Sequence, residues 1–271
     1  MPELPEVETV ARQLDAAIAG RRIKHLRLLD PKLKAAGRLS VDGYRIAAVR
    51  RYGKQVVFEL VPPRKRSVAR WLSIHLRMTG RLIYVPVGQT MDASKARAVF
   101  ELDRGGVLFL DTRRFGTICV HDECTTVLPA GVEPLSDELT TARLNELIAN
   151  SPTPLKPWLL IQNKIVGLGN IYASEVCFAA GIHPTRPAGR LDDAEVRRLR
   201  AAIRRILTAA IKHCGTTFSD FQDSRGDVGG YVKYLKVYHR AGEPCRRCGT
   251  PIEKITQAQR STYFCPACQP D

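Results

Sequence analysis

Cys245-Arg-Arg-Cys248 and Cys265-Pro-Ala-Cys268, with sixteen residues between the two pairs, decide how the end of this chain folds. Two thiols separated by two residues offer both ligands from one tight turn, and a second such pair completes a tetrahedron, the spacing of a four-thiolate zinc site. Four cysteines leave no open coordination position, so the zinc is expected to be structural, one per chain. The surrounding piece is too short to fold on apolar burial alone, and metal binding supplies the missing free energy. Residues 232–271 carry seven Lys and Arg against three acids, a local charge of 7 − 3 = +4.

The rest of the chain has the same sign. Its 271 residues hold 42 Lys and Arg against 27 Asp and Glu, a net charge of +15. An excess of this size suits a polyanion, because phosphates neutralised by basic side chains release their counterions. No apolar run reaches membrane-spanning length, so no membrane partner is expected. The first residues place carboxylates where a secretory signal would be basic. With four of the eight cysteines in zinc spacing and no signal pattern, a reducing cytoplasm is expected, with Cys119, Cys124, Cys177 and Cys214 as ordinary thiols.

At the other end stands Met1-Pro-Glu-Leu-Pro-Glu-Val-Glu8. Removal of Met1 would leave Pro2 with a free secondary amine, partly neutral and nucleophilic near pH 7. Such an amine adding to a sugar C1′ yields an iminium directly, with Glu3 beside it as proton donor. The plainer reading is a helix start, with Pro5 and the acids at its positive end. Val7, Val10, Leu14 and Ile18 then form one apolar face over residues 5–19, and Gly20 ends it.

From about 21 to 121 the runs are short, β-branched or aromatic and punctuated by Gly, Pro and Asp, among them Gln55–Leu60, Arg81–Val85 and Val107–Leu110. They predict a β-sandwich, with Asp103-Arg-Gly-Gly106 as a hairpin turn. A linker follows around Pro129–Leu135, and then the pattern turns helical: Leu139–Ala149, and a helix to about His213 opened by an Asp192…Glu195 capping box. Between these helices Gly167-Leu-Gly169-Asn170 lacks the third glycine of a dinucleotide fingerprint. Two glycines and an asparagine at a helix start instead offer backbone amides to a phosphate. The fold class is therefore α+β: an N-terminal helix and β-sandwich over 1–132, a helical domain over 133–240 and a zinc ribbon over 241–271.

Pro-Glu-Leu-Pro-Glu-Val-Glu, Asp111-Thr-Arg-Arg-Phe-Gly116, Gly167-Leu-Gly-Asn-Ile-Tyr-Ala-Ser-Glu175 and the terminal finger occur in that order. Together they resemble the bacterial formamidopyrimidine-DNA glycosylases over nearly the whole chain. The resemblance implies a base-excision repair enzyme that everts oxidised purines from double-stranded DNA, excises them and cleaves the abasic site by β,δ-elimination through a Schiff base. It implies Pro2 as nucleophile and Glu3 as acid, with Lys54 assisting proton transfer and Arg260 acting at the phosphates and in δ-elimination. It places Glu6 in the damaged-base pocket, and Met78, Arg113 and Phe115 in the vacated stack. His75, Lys95, Arg114, Lys156, Asn170 and Tyr238 are its other DNA contacts, and residues 215–231 its capping loop. The middle helical domain is the family's helix–two-turns–helix, and Cys245, Cys248, Cys265 and Cys268 hold its zinc. A monomer working at the bacterial nucleoid is the matching expectation.

The chain departs from the family pattern at Lys95, where a histidine is common, and at Ile161, where an acid is common. An oxidised-pyrimidine enzyme of the endonuclease VIII-like branch is the nearest alternative, but that branch usually opens Pro-Glu-Gly-Pro, and this chain has Leu4. A non-catalytic zinc-ribbon DNA-binding protein is the other, and it has no use for a Pro-Glu terminus.

Overall fold

The computed structural model describes residues 1–33, 40–63, 68–90, 92–218 and 221–271. The chain divides into two compact units, 1–128 with 213–230, and 129–212 with 231–271.

The first unit opens with helix α1, Leu4–Ile18, started by a capping box. The Glu3 side chain accepts from the Glu6 amide while the Glu6 carboxylate accepts from the Glu3 N–H, and Pro5 occupies the first turn. The helix begins one residue before the sequence reading because Glu3, not Leu4, takes the extended capping conformation. Among the described residues eight strands follow: β1 (Ile23–Leu28), β2 (Arg45–Tyr52), β3 (Gln55–Val61), β4 (Arg70–His75), β5 (Arg81–Val85), β6 (Ala96–Leu102), β7 (Gly106–Leu110) and β8 (Thr117–His121). They form two four-stranded antiparallel sheets, ordered β1-β6-β7-β5 and β2-β3-β4-β8. Val7, Val10, Leu14 and Ile18 of α1 join Phe58, Leu72, Phe100 and Phe109 of the two sheets in one buried cluster. Each such side chain contributes roughly 1.5–3 kcal/mol on leaving water.

The second unit holds α2 (Thr141–Ile148), α3 (Leu155–Leu159), α4 (Asn170–Ala180) and α5 (Asp193–Lys212), then the hairpin β9 (Glu253–Gln257) and β10 (Arg260–Phe264). The Asp192–Glu195 capping box is present in both directions, at 2.8 and 2.9 Å. Gly169 is the N-cap of α4 and Asn170 its first residue, so the Asn170 side chain is free of capping duty. Gly181 ends α4 in the left-handed conformation at φ 69°, as a C-terminal glycine does.

The spatial division cuts the chain differently from boundaries at 132/133 and 240/241. Residues 213–230 belong with the sandwich because Gln13 accepts from the Ser224 amide and hydroxyl and donates to Asp223, and Ser224 O accepts the Tyr84 N–H. The ribbon belongs with the helices: Phe178 of α4 packs with Val237, Ile252 and Tyr263, and Gln269 donates to the Ile182 carbonyl at 2.9 Å. Among the described residues no helix is long and apolar enough to cross a membrane.

Candidate DNA-lesion site

At the head of α1, Pro2, Glu3 and Glu6 are all buried. Met1 precedes Pro2, so the Pro2 nitrogen is here a peptide amide. The Glu6 carboxylate spans two elements. One oxygen takes the Glu3 N–H at 2.7 Å, and the other takes the Thr216 N–H at 2.7 Å. Gly215 lies so close that a Cβ there would stand 2.6 Å from Glu6 Oε1, and its φ of 78° also favours glycine. The described part of 215–231 is therefore fastened to the first turn of α1, and it reaches β5 as well, where Arg81 donates to Gln222. Ser219 and Asp220 of this expected capping loop lie outside the described residues.

Lys54 occupies the two-residue turn between β2 and β3, after Gly53 at φ 59°. Arg51, its side chain 6% exposed, donates to Glu8 of α1 at 2.8 Å and to the Gly53 carbonyl at 3.1 Å, which brings the Lys54 turn to the start of the helix. Burial opposes Glu8 ionisation, but Arg51 and Arg12 outweigh it and hold its carboxyl below the usual range. His75 lies across from Gln55 at the end of β4. Burial, reinforced by the Arg77 and Lys54 charges, pushes its pKa down to about 4, so the imidazole is neutral at pH 7. Its Nδ1 accepts the Arg77 N–H at 3.0 Å and therefore carries no proton.

Met78 and Phe115 are types usually buried, yet they are 39% and 53% exposed, and the Arg113 guanidinium lies 5.0 Å from the Phe115 ring centroid. Core packing is thereby excluded for both. Arg114 behaves differently from its neighbour. Its guanidinium grips buried Asp30 through both Nε and Nη2, and that grip holds the Asp30 carboxyl well below the usual range. In this structure Arg114 braces the loop, at φ 59°. Lys95 is exposed in the turn before β6.

In the second unit, residues far apart in sequence meet at the start of α4. The fully buried Lys156 ammonium donates to Asn170 Oδ1 and, at 3.3 Å, to the Ser261 carbonyl. Asn170 Nδ2 donates to the same carbonyl at 3.0 Å and lies 3.4 Å from the Tyr238 hydroxyl. Tyr238 sits in no strand; its ring stands edge-on to Tyr263 at 5.1 Å. Arg260, one residue before Ser261, is exposed at the tip of the β9–β10 hairpin. Ala258 and Gln259 form that tip at φ 46° and 60°, a conformation that costs a non-glycine residue about 1–2 kcal/mol. Ile161 is half-buried between α3 and α4.

Sequence reading carried Glu175 only as the last residue of a motif and gave it no role. This carboxylate is 1% exposed and accepts the Lys236, Val237 and Tyr238 amides at 2.9–3.1 Å, fixing the backbone that carries Tyr238. Burial pushes its pKa up against those amides. The available signal was one acid inside the apolar helix Asn-Ile-Tyr-Ala-Ser-Glu-Val-Cys-Phe-Ala-Ala.

The four thiols of Cys245, Cys248, Cys265 and Cys268 lie within 4.8 Å of one another, with sulfur pairs at 3.4, 3.5 and 3.9 Å. A tetrahedron with Zn–S of about 2.3 Å has edges of about 3.8 Å. The set fits one structural zinc held by these four residues.

Comparison with known proteins matches the chain in three segments. Residues 1–118 match the formamidopyrimidine-DNA glycosylase N-terminal domain, 130–222 the H2TH domain of that enzyme, and 242–270 a zinc finger found in FPG and IleRS. The chain is 43% identical to a formamidopyrimidine-DNA glycosylase of Symbiobacterium thermophilum, over 100% of this chain and 90% of that protein. It is similar to a Lactococcus lactis FPG mutant in complex with Fapy-dG containing DNA, at TM-score 0.87 and 33% identity over 100% of both chains. It is equally similar to L. lactis Fpg with abasic-site DNA, at TM-score 0.87 and 33% identity over 99% of this chain and 100% of that one.

Proposed function

The chain belongs to the formamidopyrimidine-DNA glycosylase family, and from that membership we propose that it excises oxidised purines from duplex DNA and cleaves the strand at the abasic site. The observation that carries this reading is the head of α1, where Pro2 and Glu3 are set by a reciprocal capping box whose second carboxylate, Glu6, is tied to Gly215–Thr216. A capping box is ordinary at a helix start, but the tie from Glu6 to the Thr216 amide is not something a helix start requires.

Once Met1 is removed, the Pro2 amine adds to C1′ of the damaged nucleotide and the bond from C1′ to the base breaks; the amine gives up its proton, the C1′–O4′ bond opens as O4′ takes a proton, and an iminium remains. Glu3 supplies the proton that the departing base or the opened sugar requires. The iminium acidifies the C2′ hydrogen; its loss expels the 3′ phosphate (β-elimination), and a second elimination releases the 5′ phosphate (δ-elimination). Lys54, brought to α1 by Arg51, assists proton transfer, and Arg260 serves the second elimination. Lys156, Asn170 and Tyr238 seat phosphates next to the lesion, and their grouping around the Ser261 carbonyl supports that assignment. His75, neutral at pH 7, contacts DNA as a hydrogen-bonding group, with Lys95 and Arg114 as outer phosphate contacts. Met78, Arg113 and Phe115 fill the stack left by the everted base, as their exposure suits. The zinc holds the ribbon that presents Arg260. The enzyme acts as a monomer on nucleoid DNA in the cytoplasm.

Borohydride reduction on an 8-oxoguanine duplex tests the nucleophile. A covalent protein–DNA adduct mapping to Pro2 is expected, and a chain that retains Met1 forms none, because its nitrogen is an amide. An adduct mapping to Lys54 or Lys156 overturns the assignment.

A further inference from the structure

Beneath the exposed Met78, Arg113 and Phe115 lie two buried polar side chains that link their loops. Asp111 is 2% exposed and Thr79 is 7% exposed. The Thr79 hydroxyl donates to Asp111 Oδ1 at 2.5 Å, and its oxygen accepts the Arg113 N–H at 3.1 Å. The second carboxylate oxygen, Oδ2, accepts the Gly116 N–H at 2.7 Å. One carboxylate and one hydroxyl thus hold the 76–80 turn to both ends of the 111–116 turn. Backbone contacts fix the two turns from their other sides. Gly80 closes on Leu76 so tightly that a Cβ would stand 2.3 Å from its carbonyl oxygen, and at Gly116 a Cβ would stand 2.5 Å from the Phe109 ring. The Asp111 carbonyl also accepts Arg97 Nε at 2.9 Å.

We propose that Thr79 and Asp111 are positioning residues that make Met78, Arg113 and Phe115 one preorganised plug. The proposal rests on the plug reading above and deepens it. Half-exposed apolar side chains on an unbraced loop gain by folding back onto the surface, so something must hold them out. Ordering the residues of such a loop at the moment of base eversion costs conformational entropy, and a loop already fixed avoids that cost. The buried carboxylate accepts one group from each loop, the Thr79 hydroxyl and the Gly116 N–H, and the Thr79 oxygen takes the Arg113 N–H; apolar packing offers no such acceptor.

The test is a cycle on single-turnover excision from a duplex lesion. Thr79→Val keeps the shape and removes the hydroxyl. It is expected to slow excision roughly five- to thirtyfold, the range that loss of one buried hydrogen-bonding partner spans. Thr79→Ser, which keeps the hydroxyl, should restore the rate. In a Met78→Ala/Arg113→Ala/Phe115→Ala chain, Thr79→Val should add nothing, because the brace then has no plug to position. Equal slowing in both backgrounds would mean that Thr79 supports the fold generally, and absence of slowing would mean that the brace is idle; either overturns the proposal. If the plug-less chain itself excises at full rate, the plug reading fails along with it, a result distinct from a slow plug-less chain with a silent Thr79→Val.

Discussion

The sandwich and the ribbon hold their functional residues by opposite means. In the sandwich, Pro2, Glu3, Lys54 and the plug loops sit on elements whose core runs through α1 and both sheets. In the ribbon, Arg260 stands on a two-stranded hairpin whose buried cluster consists of Val237, Ile252, Tyr263, a borrowed Phe178 and two thiolate ligands. A core of many side chains spreads the consequence of any one loss. A metal core concentrates it in four atoms.

The largest expected effect follows from that contrast. Cys265→Ser, or removal of zinc by a chelator, should unfold the ribbon, because metal binding contributes on the order of 10 kcal/mol to pieces of this size. Lesion binding and strand cleavage should collapse while the sandwich keeps its cooperative unfolding transition. Phe100→Ala, in the sandwich core, should cost about 3–5 kcal/mol and leave zinc content at one per chain. Metal analysis and thermal unfolding of both variants decide it; a Cys265→Ser protein that cuts lesion DNA normally breaks the comparison.

Next in size is Glu175→Gln. Its carboxylate meets three consecutive amides, and an amide group in its place turns a donor towards at least one of them, at a cost of about 1–3 kcal/mol. Tyr238 then loosens from Asn170, so affinity for an uncleavable abasic analogue should fall several-fold with zinc retained. Unchanged affinity would show that the 236–238 backbone is held by the ribbon alone.

Arg260→Ala should be milder for binding and more telling for chemistry. Its side chain is exposed, so the fold and the metal persist while one phosphate contact is lost. The product ratio should shift towards β-elimination ends on a denaturing gel. Loss of zinc from this variant would instead make Arg260 a structural residue of the hairpin.

How much of this was legible in the sequence depends on how local each feature is. The zinc spacing, the apolar face of α1 and the Asp192–Glu195 capping box are complete within a few turns of chain, and periodicity exposes them. Lys156 finds the Ser261 carbonyl 105 residues away, Glu6 finds Thr216 210 residues away, and Arg114 finds Asp30 84 residues away. No local pattern encodes such partners; they are fixed by how the strands and helices pack. The family resemblance named most of these residues without their partners. It therefore missed that Arg114 is engaged by Asp30, and that Thr79, Asp111 and Glu175 hold the residues it did name.

The last expected effect is a pH dependence confined to the sandwich. His75 titrates near pH 4 in the folded chain and near 6.5 when unfolded, because burial and the Arg77 and Lys54 charges disfavour the imidazolium. Above about pH 6.5 the ring is neutral in both states and contributes no slope. As pH falls from 6.5 towards 4 the unfolded chain takes up the proton first, so stability declines across that window and levels off below it. His75→Gln, which keeps a polar group at the end of β4, should flatten this part of the stability curve, while ribbon metal content at pH 6.5 stays unchanged. An NMR titration placing the His75 midpoint near 6.5 would remove the effect, and would mean that the imidazole faces more water, and less of the Lys54 charge, than the packing around β4 implies.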